Sequence, residues 1–521
     1  MYVAVPGATG AHFFAGRKLL LRCLLPLLLL IAAEGNASAD SKCQDLLQTR
    51  ADGLSVESAF RISDHKELRS FCEVRGRIDE RIQYVLRMPA SGWNGKFAVA
   101  GCGGFCGALI PDKPGYSNSI NEAVKLGYAA IQTDSGHEDD SWSTDWALAD
   151  PPALPLYAGA WLPRAVAIGH TLVEAYYLDP VRRTYFSGCS NGGRLAMMAA
   201  QRYPDLFDGI AGGGGIFDLT GQAGVHGLWL LQSTRDKQGR SLIDQAKLPL
   251  LQEAVMGQCD ALDGVEDGVV SRPELCAPQI DQLQCADASS SVSCFSAMEI
   301  NSIKRLYQGA TVDGVQLYPG IPPGSESLWA IWVVGTDDEP AWGERAAEGN
   351  LRLTYGLRAD EAFNPHDYVL AEELDNLQRL APVLNATSTD LTAFEKSGGK
   401  FFYYHGLADP LILEGRVRSY HAELTQRMGP ERVSKFARFF MVPGHGHCWE
   451  KPGQVADEFD PLTVIDHWVE SGDAPESIIT AQRGQQATPL RTAKLCPHPM
   501  VAKFSGGDSS RAQNFECVKP E

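Results

Sequence analysis

A serine lies inside a glycine-rich hexapeptide, Gly-Cys-Ser-Asn-Gly-Gly, at residues 188–193. The run before it, 184–187, is typical of a strand, and the run after it, 194–200, is apolar and rich in strong helix formers. Glycines let the chain turn sharply between a strand and a helix, which lifts the serine hydroxyl above the edge of a sheet. The pattern therefore predicts a nucleophile elbow with Ser190 at its tip.

Two later segments carry residues that could activate this serine, since an alcohol is a poor nucleophile without a neighbouring base. Asp409 follows one run typical of a buried strand, and His445 and His447 follow another. The order serine, acid, histidine is that of α/β-hydrolases, in which each residue stands on a loop after a strand. We expect Asp409 to hold an imidazole in the tautomer that accepts the serine proton.

Two cysteines flank the predicted triad. Cys189 directly precedes Ser190, and Cys448 directly follows His447. If the serine and the histidine meet, their neighbours come within bridging distance, which predicts a disulfide between Cys189 and Cys448. The same pairing favours His447 over His445 as the base.

The elements that must position these residues alternate in type along the chain. From about residue 97 to 212, strand-like and helix-like runs follow each other, and short buried-strand runs return at 400–404 and 438–442. This alternation predicts an α/β fold with a mostly parallel sheet covered by helices. Between these parts the chain is rich in Pro, Gly, Asp and Ser and contains four cysteines and several tryptophans. We interpret that stretch as a large lid domain inserted into an α/β-hydrolase core.

The N-terminus has the pattern of an export signal. Arg17, Lys18 and Arg22 accompany an apolar run at 23–33, and Ala-Ser-Ala at 37–39 is typical of a cleavage site. No later stretch reaches membrane-spanning length. We predict a secreted or periplasmic protein without membrane contact after signal cleavage. The predicted division is 1–39 for the signal peptide, 40–216 for the first part of the core, 217–385 for the lid with a calcium loop, and 386–521 for the second part of the core.

Charge and cysteine content narrow the partners and the compartment. The chain has 521 residues and a net charge of −18, which repels phosphate backbones and disfavours nucleic acid as a partner. Oligomeric state does not follow from composition. Of thirteen cysteines, Cys23 lies in the predicted signal, which leaves an even number, as expected in an oxidising compartment. Sequence does not determine connectivity, but neighbouring cysteines suggest Cys43 with Cys72, Cys102 with Cys106, Cys259 with Cys276, Cys285 with Cys294, and Cys496 with Cys517.

These motifs resemble the tannase and feruloyl esterase family. The resemblance is carried by Cys-Ser-x-Gly-Gly at 189–193, by Asp409 in Gly-Leu-Ala-Asp and by His447 followed by cysteine, and it extends from about residue 43 to 517. It implies a secreted serine esterase with an α/β-hydrolase core, a large lid and a disulfide between the two cysteines beside the triad. By matching positions it implies Ser190 as nucleophile, Asp409 as acid and His447 as base.

Ester hydrolysis also requires N–H donors for the oxyanion. The residue after the nucleophile, Asn191, is expected to supply one backbone N–H. A glycine-rich loop at 100–107 follows an early predicted strand and fits the second donor. By matching position, the resemblance implies Gly104, with Gly103 as the alternative. A bond between the cysteines of this loop would make it more rigid.

An acidic loop in the predicted lid is a candidate calcium site. Residues 259–269 contain four carboxylates, with glycines for tight turns, in a spacing that is not that of an EF-hand. Calcium prefers six to eight oxygen ligands, and three convergent carboxylates without a cation would repel one another. The resemblance implies a structural calcium in the matching lid loop. The predicted ligands are the side chains of Asp260, Asp263 and Asp267 and the carbonyls of Val265 and Val269.

Tryptophans in the lid suggest a flat, aromatic-lined cleft above the serine. The resemblance implies Trp332 as a substrate contact, with Trp329 as the alternative. Family members that hydrolyse terephthalate monoesters use a lid arginine for the free carboxylate of their substrate. Arg345 and Arg352 lie nearby in this chain but are out of register with that position.

We therefore predict a secreted serine carboxylic-ester hydrolase that cleaves small aromatic esters of feruloyl or galloyl type through an acyl-enzyme. The alternative within the family is a hydrolase of the mono(2-hydroxyethyl) terephthalate type. A serine peptidase of the same fold is a third hypothesis. Outside enzymes, the alternative is a catalytically inactive protein that binds phenolic compounds.

Overall fold

The computed structural model describes residues 40–113, 119–286, 292–448, 455–482 and 488–520. The predicted signal peptide at 1–39 lies outside these ranges. The strands are β1 Leu54–Ile62, β2 Phe71–Ile78, β3 Ile82–Pro89, β4 Lys96–Ala100, β5 Ala129–Thr133, β6 Arg183–Cys189, β7 Gly209–Gly213, β8 Thr311–Val312, β9 Val315–Gln316, β10 Lys400–Gly406, β11 Ala437–Val442, β12 Ile478–Gln482, β13 Arg491–Leu495, β14 Val501–Phe504 and β15 Phe515–Val518.

The helices fall into long and short groups. Those of eight or more residues are α1 Leu162–Tyr177, α2 Asn191–Arg202, α3 His226–Thr234, α4 Leu248–Cys259, α5 Ala297–Gln308, α6 Trp342–Tyr355, α7 Leu370–Gln378, α8 Glu414–Met428 and α9 Pro461–Ser471. Shorter α-helical segments are Asn121–Lys125, Asp145–Ala149, Ala153–Pro155, Trp329–Trp332, Ala381–Leu384, Thr392–Ser397 and Pro430–Val433. None of the helices in the described ranges is both long enough and apolar enough to cross a membrane.

Within the described residues, nine strands form one mixed sheet in the order β1-β2-β3-β5-β4-β6-β7-β10-β11. The strands from β5 to β11 in this order pair in parallel. The strands β1, β2 and β3 pair antiparallel at one side of the sheet. The predicted α/β fold with a mostly parallel sheet is confirmed, and the antiparallel strands extend it.

The register of the parallel strands places the predicted catalytic loops side by side. Cys189, the last residue of β6, pairs with Gly213 of β7, and Gly213 also pairs with Tyr404 of β10. Gly406, the last residue of β10, pairs with Val442, the last residue of β11. Parallel strands end at the same edge of a sheet, so the segments that follow β6, β10 and β11 share one edge.

Alternation along the central strands creates two separate core layers. In β10, Phe401 and Tyr403 pack in the larger apolar cluster, whereas Phe402 and Tyr404 pack in another. Successive side chains of a strand point to opposite faces, so a strand buried on both faces reads as a continuous apolar run. The helix α2 packs in the larger cluster and follows Ser190 directly.

The lid has a core of its own. The helices α3 to α7 lie between β7 and β10 in the chain, and Leu228, Ile303, Trp329 and Leu351 belong to a cluster separate from those of the sheet. This arrangement agrees in outline with the predicted insertion, whose boundaries stay a prediction.

Six disulfides connect the described cysteines, and each is a predicted pair. They are Cys43–Cys72, Cys102–Cys106, Cys189–Cys448, Cys259–Cys276, Cys285–Cys294 and Cys496–Cys517. The bond between Cys189 and Cys448 spans 259 positions of the chain, whereas the others span at most 29. It therefore joins the two parts of the core across the whole lid.

Candidate active site

Ser190 stands on a strained turn between β6 and α2. Its φ of +62° lies in a region that residues other than glycine rarely adopt. Two glycines allow the close packing around this turn. A Cβ on Gly192 would lie 3.0 Å from the carbonyl oxygen of Gly101, and a Cβ on Gly193 would lie 2.4 Å from that of Gly213. The strand, turn and helix of a nucleophile elbow are therefore present at the predicted serine.

Asp409 and His447 form a buried acid–base pair. His447 Nδ1 lies 2.8 Å from Asp409 Oδ2, and both side chains are almost fully buried. Asp409 Oδ1 also accepts the backbone N–H groups of Leu411 and Ile412, each at 2.9 Å. Burial alone would raise the pKa of the Asp409 carboxyl, but the charge and hydrogen bond of His447 outweigh it and lower that pKa. The carboxylate is thus ionised and oriented toward the imidazole.

Gly214 marks the point where the serine, acid and histidine loops converge. A Cβ built on this glycine would lie 3.4 Å from Cys189 Sγ, 3.5 Å from His447 Nδ1 and 3.6 Å from Asp409 Oδ2. The disulfide between Cys189 and Cys448, with 6.0 Å between the Cα atoms, holds the serine turn against the histidine loop. Three segments that are far apart in the chain therefore meet at one point of the sheet edge.

His445, the other predicted histidine, has a different acid partner. Its Nδ1 lies 2.7 Å from Asp457 Oδ2, and both side chains are buried. Its carbonyl oxygen accepts the N–H of Ala408, at 3.1 Å, and so connects the histidine loop to the loop of Asp409. The structure thus brings His447, and not His445, to the carboxylate beside Ser190.

The predicted oxyanion donors lie at the same cleft. Asn191 is the first residue of α2, where backbone N–H groups have no acceptor within the helix. Gly104 lines the cleft with a φ of +57°, and a Cβ there would lie 2.5 Å from the carbonyl oxygen of Ser141. The carbonyl of Gly103, the alternative, accepts the N–H of Cys106 at 3.0 Å to form a turn. Gly104 is among the described residues that line the cleft and Gly103 is not, which favours Gly104 as the second donor.

Arg194 connects the serine turn to its surroundings, a role that the sequence reading missed. The side chain is fully buried, and its Nε donates to Asn191 Oδ1 at 2.7 Å. Its other nitrogens donate to the carbonyls of Leu384 and Tyr157. Asn191 Nδ2 in turn donates to the carbonyl of Cys102, at 3.2 Å, in the glycine-rich loop. An arginine directly after the glycine motif in an otherwise apolar run was the available signal.

The cleft beside Ser190 has walls from the core and from the lid. Trp332 lines it and packs edge-on to the His447 ring, with 5.0 Å between the ring centroids. Both tryptophans pack in the lid core, where Trp329 is fully buried and its Nε1 donates to Ser325 Oγ at 3.0 Å. Of the two tryptophans, only Trp332 is among the described residues that line the cleft.

The described wall of the cleft is largely aromatic and apolar and carries no formal charge. Among the described residues, none of those that line it is Asp, Glu, Lys or Arg. Arg352 instead bonds to Glu348 and to the carbonyls of residues 358 and 361. Arg345 is likewise absent from the described lining. Sequence reasoning missed Trp142, Gln222 and His226, which line the cleft but carried no motif.

In the predicted calcium loop, two aspartate side chains accept hydrogen bonds from the loop's own backbone. Asp260 accepts the N–H groups of residues 267, 268 and 269, and Asp263 accepts that of Val265. Asp267 Oδ2 lies 2.6 Å from Arg491 Nη2, while the buried Asp267 Oδ1 has no hydrogen-bond partner among the described residues. Burial, together with the neighbouring carboxylates, raises the pKa of both Asp263 and Asp267.

These observations fit a cation that draws ligands from carbonyls as well as carboxylates. Within the described ranges, no three His, Cys, Asp or Glu side chains are grouped to hold a metal ion by themselves. The unpartnered oxygen of Asp267 and the mutual repulsion of the three aspartates would both be relieved by calcium. The backbone carbonyls of Val265 and Val269 would complete its oxygen shell.

Comparisons with known proteins agree with this geometry. The family model "Tannase and feruloyl esterase" matches residues 66–518. The mono(2-hydroxyethyl) terephthalate hydrolase of Piscinibacter sakaiensis is 32% identical, with 86% of this chain and 85% of that protein covered. A probable feruloyl esterase B-1 of Aspergillus terreus is 28% identical over 82% of this chain and 81% of its own length. The crystal structure of feruloyl esterase B from Aspergillus oryzae superposes with a TM-score of 0.79, at 23% identity, over 92% of this chain and 100% of that one.

Proposed function

Because the chain belongs to the tannase and feruloyl esterase family, and is therefore an ester hydrolase, we propose that it is a serine esterase for small, uncharged aromatic acyl groups. The observation that carries the proposal is the buried pair of His447 and Asp409 beside the strained turn of Ser190. The acyl groups would be of feruloyl or galloyl type.

The proposed reaction begins with attack of Ser190 Oγ on the ester carbonyl carbon while His447 takes the hydroxyl proton. Asp409 stabilises the imidazolium that forms. The backbone N–H groups of Asn191 and Gly104 would bind the oxyanion. When the tetrahedral intermediate collapses, the ester C–O bond breaks and His447 returns the proton to the leaving alcohol.

The second half of the reaction releases the acid. Water attacks the carbonyl carbon of the acyl-enzyme while His447 takes one of its protons. The bond between the acyl carbon and Ser190 Oγ then breaks, and His447 protonates the serine. The same imidazole serves both halves because its partner Asp409 keeps it oriented throughout.

The described lining of the cleft carries no formal charge, which supports a neutral acyl group. A free carboxylate buried there would lack a compensating cation among the described lining residues, which is costly in an apolar environment. A terephthalate monoester carries such a carboxylate on its acyl ring. The 32% identity to a mono(2-hydroxyethyl) terephthalate hydrolase makes that reaction the second candidate.

A substrate panel separates the two candidates. We expect hydrolysis of methyl ferulate, methyl gallate or chlorogenate with a kcat/KM at least about tenfold above that for mono(2-hydroxyethyl) terephthalate, because the carboxylate of the latter is desolvated without a partner. A preference for the terephthalate monoester would overturn the substrate assignment. Full activity of the Ser190→Ala variant, or its labelling by a fluorophosphonate, would overturn the nucleophile.

We also propose that the loop of Asp260, Asp263 and Asp267 binds a structural calcium ion. The unpartnered Asp267 Oδ1 and the raised pKa values of two of these carboxyls support the proposal. Bound calcium would neutralise the loop and hold it closed. It would take no part in the ester reaction.

We also propose that the protein is exported from the cytosol and that its signal peptide is cleaved. The predicted signal peptide lies outside the described residues, and the six disulfides of the described chain are typical of an oxidising compartment. N-terminal sequencing of protein from a culture supernatant or periplasmic extract should find Asp40 as the first residue. An intact N-terminus on protein retained in the cytosol would contradict export.

A further inference from the structure

His226 is a buried polar ring in a cleft that is otherwise largely apolar. It is the first residue of α3, is 2% exposed and belongs to the cleft wall. Its Nδ1 has no hydrogen-bond partner among the described residues, and its ring packs at 5.9 Å from that of Tyr318. A buried nitrogen without a partner is unfavourable, and in a binding cleft a ligand can supply the missing partner.

Gln222 lies one helical turn before His226 on the same face. Its Oε1 accepts the backbone N–H of Leu413, at 3.3 Å, which leaves the amide NH₂ group as the donor it can offer to a ligand. The helical segment that carries both residues packs closely on α6. A Cβ on Gly227, the neighbour of His226, would lie 3.0 Å from Ala347 Cβ.

Small residues form much of the cleft wall that contains His226. They are Ala223, Gly227, Gly343, Ala346 and Ala347. Small side chains leave room for a planar aromatic ring, and Ser190 lines the same cleft. An aromatic ring bound in this cleft could therefore place a polar substituent against His226.

The charge state of His226 determines which substituent of a bound aromatic ring it can bind. Burial lowers the pKa of its imidazole to about 4, so the ring is neutral in the range where esterases are assayed. A neutral imidazole has one N–H donor and one acceptor nitrogen, which suit a hydroxyl group. A neutral imidazole would not neutralise a carboxylate, and the described lining residues include no Lys or Arg that could do so.

We propose that His226, with Gln222 beside it, binds the ring hydroxyl of a phenolic acyl group. The enzyme would then select hydroxylated aromatic acyl groups over unsubstituted ones. This inference rests on the proposed function, because it assumes that the acyl group of an aromatic ester occupies the cleft when its carbonyl lies at Ser190.

Two substrates that differ by one hydroxyl test the inference, methyl p-coumarate and methyl cinnamate. We expect the wild-type enzyme to favour methyl p-coumarate in kcat/KM by about tenfold or more, since a site built to bond a hydroxyl rejects the analogue without it. The variant His226→Phe should lose that preference, so that the ratio of kcat/KM for methyl p-coumarate to kcat/KM for methyl cinnamate falls to about one. His226→Gln keeps a hydrogen-bonding group and should retain part of the preference.

His421→Phe is the matched control. His421 is also buried, in α8, and packs edge-on to Phe439 at 5.0 Å, away from the cleft. Burial lowers its pKa to about 4 as well, so the control removes a comparable neutral ring. Both substrates should be turned over by this variant as by the wild type.

The outcomes distinguish the inference from the proposed function. If the His226→Phe variant keeps the wild-type preference, or if it is folded and loses activity on both substrates equally, His226 does not bind the ring hydroxyl. A wild-type enzyme without preference would also overturn the inference, although ester hydrolysis would stand. If the wild type hydrolyses p-nitrophenyl butyrate through Ser190 but neither aromatic ester, both the inference and the proposed substrate class fail.

Discussion

His445 and Asp457 form a second buried imidazole–carboxylate pair, with 2.7 Å between Nδ1 and Oδ2, two residues before the histidine that pairs with Asp409. The histidine loop is therefore anchored on two sides. One pair points to the cleft through His447, and the other connects the loop to the segment before α9. The carbonyl of His445 additionally holds the acid loop through Ala408.

This arrangement predicts that replacing His447 lowers kcat, whereas replacing His445 mainly lowers the free energy of unfolding. His447→Ala should lower kcat by about 10³-fold or more, because the serine loses its base. His445→Ala should lower the free energy of unfolding by about 3 kcal/mol, since Asp457 is left buried without its imidazole, and should change kcat much less. Ester turnover and urea unfolding of both variants measure the two effects. A folded His445→Ala enzyme as inactive as His447→Ala would contradict the assignment.

Asp409→Asn should remove activity without removing the fold. An asparagine at this position retains the shape of the side chain but no longer fixes the tautomer of His447 or balances the imidazolium. We expect kcat to fall by about 10⁴-fold with KM nearly unchanged. Steady-state kinetics with p-nitrophenyl butyrate, alongside circular dichroism, provide the check. A fall in kcat below tenfold would mean that another carboxylate orients the histidine.

The lowered pKa of Asp409 predicts acid sensitivity of the fold. A carboxyl whose pKa is lower in the folded state than in the unfolded one binds fewer protons when folded. It therefore contributes stability above its unfolded pKa of about 3.9, and this contribution is lost as the pH falls through the folded value. Urea unfolding between pH 6 and 3 should show a smaller decline for Asp409→Asn than for the wild type. Equal declines in both proteins would exclude this contribution.

The bond between Cys189 and Cys448 should matter for both stability and catalysis. Replacing both cysteines by serine opens a loop of 259 positions and should cost about 3–5 kcal/mol of unfolding free energy. It should also lower kcat, because it releases the serine turn from the histidine loop. The control is the same replacement at Cys285 and Cys294, which close a loop of only 9 positions in the lid. A double variant at 189 and 448 with unchanged kcat would show that the bond is not needed to align the site.

Calcium removal should destabilise the protein without altering the chemistry. Treatment with EDTA should lower the Tm by about 5 °C, and calcium should restore it, because a ligand bound only to the folded state stabilises that state. Asp263→Asn should lose this response, while kcat measured well below the Tm stays near the wild-type value. An EDTA-treated wild type with unchanged Tm and no bound metal would overturn the calcium proposal.

The fold and the convergence of the triad could be anticipated because their determinants are local. A buried strand reads as an apolar run, a sharp turn requires glycine, and parallel strands end at one edge. Ser190, Asp409 and His447 each follow such a strand, so their meeting follows from topology. The neighbouring cysteines added a constraint across the lid that the sequence shows directly.

The substrate side of the site could not be anticipated in the same way. Trp329 and Trp332 are three residues apart and both pack in the lid core, yet of the two only Trp332 contacts the His447 ring and lines the described cleft. Which side of a short helical segment faces the cleft depends on how the lid helices pack on the core, and no local pattern records that packing. The same holds for His226, which occurs in a helix without any motif.

The amino-acid sequence by itself determined the order of the catalytic residues and the α/β architecture, because each depends on neighbours in the chain or on strand order, and it suggested the cysteine pairs without fixing them. It also favoured His447 and Trp332, but only the tertiary structure showed that His447 receives Asp409, that Trp332 reaches the cleft and that the described cleft wall is uncharged. These features depend on side chains from distant segments that share one cavity, and their directions are set by packing between the core and the lid.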